Sequence, residues 1–481
     1  MTSPIRNVVV VGAGLSGLVA AYRLKRLAPE TRVTVLEAAS RPGGVVHTDY
    51  RDGFVVEQSA DSILREPSYA IDLANELGLE TEIIGTNPDF RGAYVVRHDR
   101  LHRIPAEFRL IGPAQWWPLI TSSLLSWPGK LRACLEPWVP VRQDQADESF
   151  QDFVTRRYGH ELFEYLAQPL VSGIYNVDPA ELSMQATLSR FVELERKYGS
   201  VSRGLKHMAA RLHEGDAGIR YGLFFSFRRG LQTLVDTLST RLGEALTLNA
   251  TVTSLEHRAA GYVVHVKGGG SVAADAVILA LGADAAASLV GEFAPELAAG
   301  LSKLTYGSSA VVSLAFDTAQ LGHPLDAFGI VVPRHEGRAS LAVTFSSVKY
   351  LGRAPQGKSL VRVYFGESAA FPHTLGLSDT ELAELAHKEL DALVGVKGHA
   401  LWNRVHRLSV AIPQYKLGHV QRIQGIEHEL QSYPDLALAG NYLHGIGIPH
   451  VVHSAEQAAQ RVFSYSSGSS SVSRTGSPGT A

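Results

Sequence analysis

A glycine-rich turn near the start of the chain is the first group of residues whose spacing could serve chemistry. Gly12, Gly14 and Gly17 follow the apolar run Asn7–Val11, an order that predicts a strand, a tight turn and a helix. Such a turn lets the backbone approach a pyrophosphate at the positive end of the helix. Glu37 ends the next apolar run, at the place where an acid hydrogen-bonds a ribose 2′-hydroxyl. The pattern predicts a dinucleotide site.

The elements around this turn predict an α/β fold for the dinucleotide-binding part. The whole chain, with a further mixed sheet, is expected to be α+β. Strand and helix patterns alternate over residues 1–80, which is typical of a parallel sheet with crossover helices. A hairpin is expected around His98 and Asp99, and residues 110–215 read as largely helical. Residues from about 300 to 415 predict a separate mixed sheet with one helix over Asp379–Val394. From Ser464 onward the chain is almost entirely Ser, Gly, Thr and Pro, which predicts a disordered tail.

Composition narrows the class of protein further. The 481 residues, 45% of them hydrophobic, are enough for two or three domains. A net charge of −2 provides no broad positive field, so we expect no nucleic-acid partner. A single cysteine, Cys134, excludes an intramolecular disulfide and indicates a reducing compartment. The first strand begins soon after Met1, so no signal peptide is expected and the predicted location is cytoplasmic.

The usual motifs of nucleophilic and metal catalysis are missing from the sequence. It contains no HExxH, no GxSxG and no cysteine-histidine pair with ligand spacing. His444, His450 and His453 cluster near the end of the chain, where surface or helix-capping roles are favoured over catalysis. The motifs therefore indicate neither a metal site nor a catalytic nucleophile.

A tryptophan-rich segment leaves two interpretations open. Residues 111–128 hold three of the five tryptophans but are interrupted by prolines and are too short to span a membrane. Indole rings favour a membrane interface or a protein partner. A helical lid packed on the second domain explains the segment equally well.

Motifs along the rest of the chain identify a family resemblance. The first is Arg41-Pro-Gly43-Gly44 just after the acidic strand end, and the most specific is the string Ile-Pro-Gln-Tyr-Lys-Leu-Gly-His over Ile412 to His419. With Gly173-Ile-Tyr, Arg229-Gly-Leu-Gln and the 328–333 segment, these stretches span the chain to about residue 462. The chain resembles the FAD-dependent porphyrinogen oxidases of heme biosynthesis, which oxidise protoporphyrinogen or coproporphyrinogen, within the amine-oxidase-like flavoprotein superfamily.

The resemblance implies a Rossmann-like FAD-binding domain of the amine-oxidase type, interleaved with a mixed-sheet substrate domain. The predicted segments are 1–90, 216–300 and 421–463 for the FAD-binding domain, 91–110 (a hairpin) and 301–420 for the substrate domain, 111–215 for a helical lid or membrane-binding subdomain, and 464–481 for the disordered tail.

The resemblance also implies the cofactor, the reaction and the residues around the flavin. The cofactor would be FAD, which takes hydride in three two-electron steps that turn a porphyrinogen into a porphyrin, with O₂ as the expected acceptor. Because the flavin would perform the hydride transfer, no metal and no dedicated catalytic side chain are expected. Peripheral membrane association and product handover to a ferrochelatase are further expectations, and the oligomeric state stays open. The implied FAD contacts are Gly12, Ala13, Gly14, Leu15, Ser16, Gly17, Glu37, Arg41, Gly44, Val45, Ser59, Ala60, Asp61, Ser62, Val252, Asn441, Ile446, Gly447 and Ile448.

The motifs support the substrate prediction less strongly than they support the cofactor. The implied pocket residues are Gly173, Phe328, Gly329, Val331 and, as a carboxylate partner, Arg91. Arg91 is included because Ala93 stands where many protoporphyrinogen-type relatives carry a propionate-binding arginine. Asp61 and Pro449 match the coproporphyrinogen type, so coproporphyrinogen III is favoured slightly over protoporphyrinogen IX.

Two other functions stay open at this point. One is another amine-oxidase-like or desaturase-like flavoenzyme, which would share the glycine turn and the Arg41 extension. The other is a flavin-binding protein without turnover, for which the replacement of the family's usual Gly-Pro by Ser59-Ala60 is the support.

Overall fold

Short apolar runs separated by glycine turns build the strands of the molecule. The computed structural model describes residues 6–215, 222–366 and 371–466. The strands in chain order are β1 Asn7–Val11, β2 Arg32–Leu36, β3 Thr48–Arg51, β4 Phe54–Glu57, β5 Ile63–Leu64, β6 Ile83–Gly85, β7 Tyr94–Arg97, β8 Arg100–Arg103, β9 Phe108–Arg109, β10 Gly112–Pro113, β11 Phe224–Phe227, β12 Leu246–Thr247, β13 Val252–Arg258, β14 Gly261–Val266, β15 Gly270–Ala274, β16 Ala276–Leu279, β17 Tyr306–Asp317, β18 Gly329–Val331, β19 Ala342–Phe345, β20 Lys358–Gly366, β21 Trp402–Pro413 and β22 Leu436–Leu438.

The longer helices carry the 3.6-residue apolar spacing that lets one side pack on a sheet or on another helix. In chain order they are α1 Leu15–Leu27, α2 Tyr69–Glu76, α3 Trp117–Thr121, α4 Trp127–Cys134, α5 Phe150–Tyr158, α6 His160–Leu162, α7 Gln168–Tyr175, α8 Met184–Thr187, α9 Ser189–Tyr198, α10 Val201–Gly215, α11 Gln232–Leu242, α12 Ala283–Val290, α13 Pro295–Ser302, α14 Ser346–Lys349, α15 Asp379–Val394, α16 His419–Leu430 and α17 Ile448–Ser466. The predicted tail starts at residue 464, yet α17 continues to Ser466. The rest of that predicted tail lies outside the described residues.

A parallel sheet forms the centre of the first layer. Its strand order is β12-β2-β1-β16-β22, and all four pairings are parallel. Helices α1, α2, α11 and α17 cover one face, while β13 to β15 and helices α12, α13 and α16 cover the other. Covering both faces explains why these strands are almost continuously apolar. The predicted α/β fold with a Rossmann-like sheet is confirmed.

A seven-stranded mixed sheet forms the second layer, in the order β21-β17-β20-β19-β18-β7-β8. The predicted hairpin at His98 and Asp99 joins β7 to β8, with both turn residues at positive φ. Helix α15 packs on one face of this sheet through Val361, Val363 and their neighbours. The alternate residue Arg362 points to the opposite face and donates to the Ser59 carbonyl of the first layer. The two layers therefore meet along this face.

The helices between residues 117 and 215 share a core of their own. Arg157 lies at its centre, fully buried, and pairs with Glu136 and Glu195. Trp116 packs against this core, whereas Trp117 and Trp127 are exposed. In the described part of the chain, no helix is long and apolar enough to cross a membrane.

Candidate functional site

The first glycine turn is shaped by contacts that exclude larger side chains at two positions. A Cβ on Gly17 would lie 1.9 Å from the Gly12 carbonyl oxygen, because α1 packs directly against the turn. Gly12 has a φ of 98°, and a Cβ there would lie 2.6 Å from the Ala280 carbonyl oxygen. Ala13 and Leu15 are buried beneath the turn. These contacts hold the loop in one conformation.

Gly14 differs from the other two glycines because its position opens outward. A Cβ placed on Gly14 meets no atom of the described residues within 4 Å. Gly14 is also the N-cap of α1 and supplies no side-chain cap to the helix. The amide groups that follow, including those of Ser16 and Gly17, form the positive end of a 13-residue helix. An open channel beside uncapped amide donors fits a pyrophosphate.

Glu37 lies beside this turn, as the sequence predicted. One carboxylate oxygen accepts from the Ala13 N–H at 2.6 Å, and the other accepts from the Ala39 N–H at 2.8 Å. The Ala250 N–H donates to the Glu37 carbonyl. That bond brings the start of β13, with the half-buried Val252, close to the acid. A carboxylate has further lone pairs that can accept ribose hydroxyls.

The second glycine pair packs against the first turn. The Gly43 N–H donates to the Ala13 carbonyl at 2.8 Å, and a Cβ on Gly44 would lie 3.2 Å from Gly14 Cα. Arg41 stiffens this segment by donating to the Gly44 carbonyl at 2.8 Å. Val45, directly beyond it, leaves half of its apolar surface exposed. The cradle of the two glycine turns thus fits the diphosphate of FAD.

The 59–62 loop is held from the mixed sheet. Lys349 Nζ lies 2.9 Å from Asp61 Oδ1, and Arg362 Nη1 lies 3.5 Å from Asp61 Oδ2. The Tyr350 hydroxyl donates to Ser62 Oγ at 2.9 Å. Burial alone would raise the pKa of Asp61, but the two cations hold that pKa well below its usual value. The sequence motifs predict the loop as an FAD contact but contain no sign of its partners Lys349 and Arg362.

The chain returns to the first layer at the beginning of α17. Ile446, Gly447 and Ile448 are partly buried where the helix starts, close to Asn441 in the chain. Among the three C-terminal histidines, His444 pairs with Glu427 at 2.8 Å. His453 stacks on Tyr69 with ring centroids 4.1 Å apart. No cluster of metal-ligating side chains occurs in residues 6–215, 222–366 or 371–466.

The Ile412–His419 string joins three parts of the molecule. The buried Tyr415 hydroxyl donates to the Asn441 carbonyl at 2.8 Å and accepts from the Gly445 N–H at 2.7 Å. The His419 ring stacks on Tyr415 with centroids 3.8 Å apart and bonds the Leu443 carbonyl at 3.2 Å. Burial lowers the pKa of His419 to about 4, so this ring is neutral at pH 7.

The same string holds the mixed sheet and the helical region. The Gln414 N–H donates to the Thr305 carbonyl, just before β17, and the Ser183 N–H donates to the Tyr415 carbonyl. The Gln414 side chain donates to the Asn176 carbonyl at the end of α7. Sequence reasoning identified the string as specific without assigning it a role. Its role in the structure is to position the loop before α17.

The predicted substrate residues occupy different environments. Gly173 is exposed on α7, and a Cβ there meets no described atom within 4 Å. Phe328 and Val331 are half-buried, with Val331 packed against the helical core. Gly329 has a structural reason to be glycine, since a Cβ would lie 2.0 Å from the Val343 carbonyl oxygen.

Arg91 lies outside the regular strand that the sequence prediction assumed for it. Strand β7 begins at Tyr94, and Gly92 has a φ of 99°. Arg91 is exposed in the preceding loop. The Phe328 N–H donates to the Gly92 carbonyl at 2.9 Å, which keeps this loop beside the predicted pocket residues.

Comparisons with known proteins agree with this geometry. The model of the family described as "Flavin containing amine oxidoreductase" matches residues 15–463. A coproporphyrinogen III oxidase from Bacillus subtilis is 30% identical over 97% of this chain and 99% of its own length. A chloroplastic protoporphyrinogen oxidase from Spinacia oleracea is 30% identical over 96% of this chain and 84% of its own. A crystal structure assigned as a protoporphyrinogen oxidase from Exiguobacterium superposes with a TM-score of 0.85 at 28% identity, covering 96% and 99% of the two chains.

Proposed function

This chain belongs to the flavin-containing amine oxidoreductase family, and we propose that it oxidises coproporphyrinogen III to coproporphyrin III in heme biosynthesis. The predicted family resemblance is confirmed, and the chain is an FAD-dependent oxidoreductase. The observation that carries the proposal is the similarity to the Bacillus subtilis coproporphyrinogen III oxidase, which extends over 99% of that enzyme. Protoporphyrinogen IX is the second candidate substrate, since the spinach protoporphyrinogen oxidase aligns over nearly as much of this chain.

The chemistry divides between the cofactor and the protein. Bound FAD supplies the hydride acceptor that the reaction needs, because no amino-acid side chain accepts hydride. The protein binds the pyrophosphate at Gly14 and the first turn of α1, and the ribose at Glu37. Tyr415 orients the loop before α17. Phe328 and Val331 offer apolar surface for the macrocycle, and Arg91 offers a charge for a propionate.

The choice between the two substrates rests on charge. Coproporphyrinogen III has four propionates and protoporphyrinogen IX has two, so the first needs more cationic partners. The exposed Arg91 beside the Phe328 loop supports the first. An Arg91→Ala variant is expected to raise KM for coproporphyrinogen III more than for protoporphyrinogen IX, and equal KM values in variant and wild type would remove Arg91 from the pocket.

The proposal is tested by aerobic turnover of the purified, FAD-loaded chain. Porphyrin fluorescence is followed with each porphyrinogen in separate reactions, and peroxide is measured in parallel. We expect faster turnover of coproporphyrinogen III, with one peroxide per two electrons if O₂ is the acceptor. A yellow protein that oxidises neither compound, with O₂ or with an added dye, would favour a different flavoenzyme or a flavin-binding protein without turnover.

An exposed apolar face supports peripheral membrane association as part of this function. Trp127, Leu131, Leu135 and Trp138 follow one another at helical spacing on α4 and the turn after it, and each is more than half exposed. Lys130 lies over the Trp127 ring at 4.5 Å. The only acid of this stretch, Glu136, is buried in its pair with Arg157. Lys130 itself is buried, so the exposed indoles and leucines, with no exposed carboxylate in the stretch, are the features that fit an anionic lipid surface.

Membrane binding is tested by co-sedimentation with vesicles of anionic or neutral phospholipid. We expect the wild type to sediment with anionic vesicles and a Trp127→Ser/Leu131→Ser variant to remain in solution. Equal sedimentation of both proteins would contradict membrane binding by this surface.

A membrane-bound enzyme would release its porphyrin where a ferrochelatase could take it up. We propose this handover as the next step for the product.

A further inference from the structure

Three side chains form a charged cluster at the contact between the two layers of the molecule. Asp61 belongs to the 59–62 loop, Lys349 ends α14, and Arg362 lies within β20. Lys349 Nζ is 2.9 Å from one Asp61 oxygen, and Arg362 Nη1 is 3.5 Å from the other. Arg362 also donates to the Ser59 carbonyl. We call these three residues the Asp61 cluster.

The Asp61 cluster carries more positive than negative charge. Asp61 is ionised, because Lys349 and Arg362 lower its pKa despite its burial. The neighbouring buried pair of Glu57 and Arg353, 3.7 Å apart, adds one charge of each sign at most. Burial raises the pKa of Glu57 and so favours its neutral form. Glu57 therefore contributes at most one negative charge to the region. Three cations therefore face two carboxylates in a mostly buried region.

Arg362 is enclosed by protein and is not open to a substrate. Its side chain is 1% exposed. Its Nε and Nη1 atoms are buried and have no hydrogen-bond partner among the described residues. The guanidinium stays charged, and the two carboxylates of Asp61 and Glu57 balance at most two of the three cations. No bulky ligand can reach these atoms. The charge of Arg362 therefore acts on a bound molecule through space, across the 59–62 loop whose Ser59 carbonyl it binds.

We propose that the Asp61 cluster favours reduction of the bound flavin by placing surplus positive charge behind the 59–62 loop. The flavin gains two electrons and one proton when it takes a hydride, and the reduced ring is anionic when its N1 carries no proton. A nearby cation stabilises that added negative charge, and charge near N1 is one of the ways a protein tunes a flavin. Interactions in a buried site are screened weakly, so the effect persists in salt.

The inference rests on the proposed function and on residues 59–62 contacting the FAD, as the family resemblance implies, and its test measures a potential rather than turnover. FAD-loaded variants are equilibrated with a reference redox dye, and the oxidised-to-reduced ratio of the flavin is recorded. Lys349→Met and Arg362→Met should each shift that ratio about tenfold toward oxidised flavin, which is about 30 mV for a two-electron couple. Asp61→Asn should shift it in the opposite direction.

Lys358→Met is the matched control, since it removes a lysine from the outer end of the same strand, where Lys358 pairs with Asp317. Its ratio should equal that of the wild type. Ratios within twofold of the wild type in all three cluster variants would overturn the inference, as would a shift of Asp61→Asn toward oxidised flavin. If Arg362→Met retains no FAD, the other two variants decide the question. A wild-type chain that binds no FAD would instead contradict the proposed function.

Discussion

Replacement of Gly14 by alanine separates cofactor binding from folding. Gly14 has a φ of −62°, which alanine adopts without strain, and a Cβ there meets no described atom within 4 Å. The folded chain without FAD should therefore keep its stability, or gain about 0.4–1 kcal/mol from the smaller entropy of the unfolded state. The added methyl group points into the space that the pyrophosphate would occupy.

Steric crowding by the added methyl group sets the expected loss of FAD affinity. Forcing an extra methyl group into a filled site costs about 1–3 kcal/mol, and each 1.4 kcal/mol is about a tenfold change in Kd. Gly14→Ala should thus weaken FAD binding by about 5-fold to 140-fold. Flavin fluorescence titration of the apoprotein measures Kd, and thermal unfolding of the apoprotein measures stability.

Two further glycines serve as controls for this experiment. Gly425→Ala adds the same methyl group to the exposed side of α16, where it meets no described atom, and should leave FAD binding unchanged. Gly17→Ala, whose Cβ would overlap the Gly12 carbonyl oxygen, should reduce both stability and binding. An unchanged Kd in Gly14→Ala, with normal folding, would refute the placement of the pyrophosphate.

Three other predictions concern stability and the loop before α17. Arg157→Leu leaves buried Glu136 without its cation and should lower the free energy of unfolding by about 3–5 kcal/mol in denaturant titration. Tyr415→Phe removes the hydroxyl that accepts from the Gly445 N–H. FAD dissociation should become faster and the flavin absorption spectrum should change. An unchanged spectrum would contradict the role of Tyr415 in positioning the loop before α17. The pKa of His419, lowered to about 4, means that the unfolded state binds the extra proton first as pH falls below about 6.5. Stability should therefore decline between pH 6.5 and 4, and His419→Asn should flatten that decline by one proton.

Local patterns in the sequence predict those parts of the structure that depend on neighbouring residues. The glycine turn follows from sterics within a few residues, and Glu37 lies beside it because parallel strands end at the same edge of the sheet. Helix Asp379–Val394 has the predicted bounds, since Ser378 caps it and Gly395 follows its last residue. The turn at His98 and Asp99 is equally local.

Contacts between distant segments are not visible in local patterns. Lys349 and Arg362 meet Asp61 only after some 290 residues of chain have folded back, and nothing near Asp61 in the sequence indicates them. The prediction for Arg91 assumes a regular strand, which the positive φ of Gly92 interrupts. Trp138 belongs to a helical spacing that the sequence carries, but the predicted tryptophan segment ended ten residues before it.

The most direct test of the central claim is a single anaerobic mixing experiment. FAD-loaded protein is mixed with coproporphyrinogen III without any other acceptor, and the flavin absorption is followed together with the appearance of oxidised pyrrolic product. Hydride transfer to the flavin predicts loss of the oxidised flavin band at a rate no slower than aerobic turnover. If the flavin band stays unchanged while the protein is folded and fully loaded with FAD, the chain does not oxidise coproporphyrinogen III.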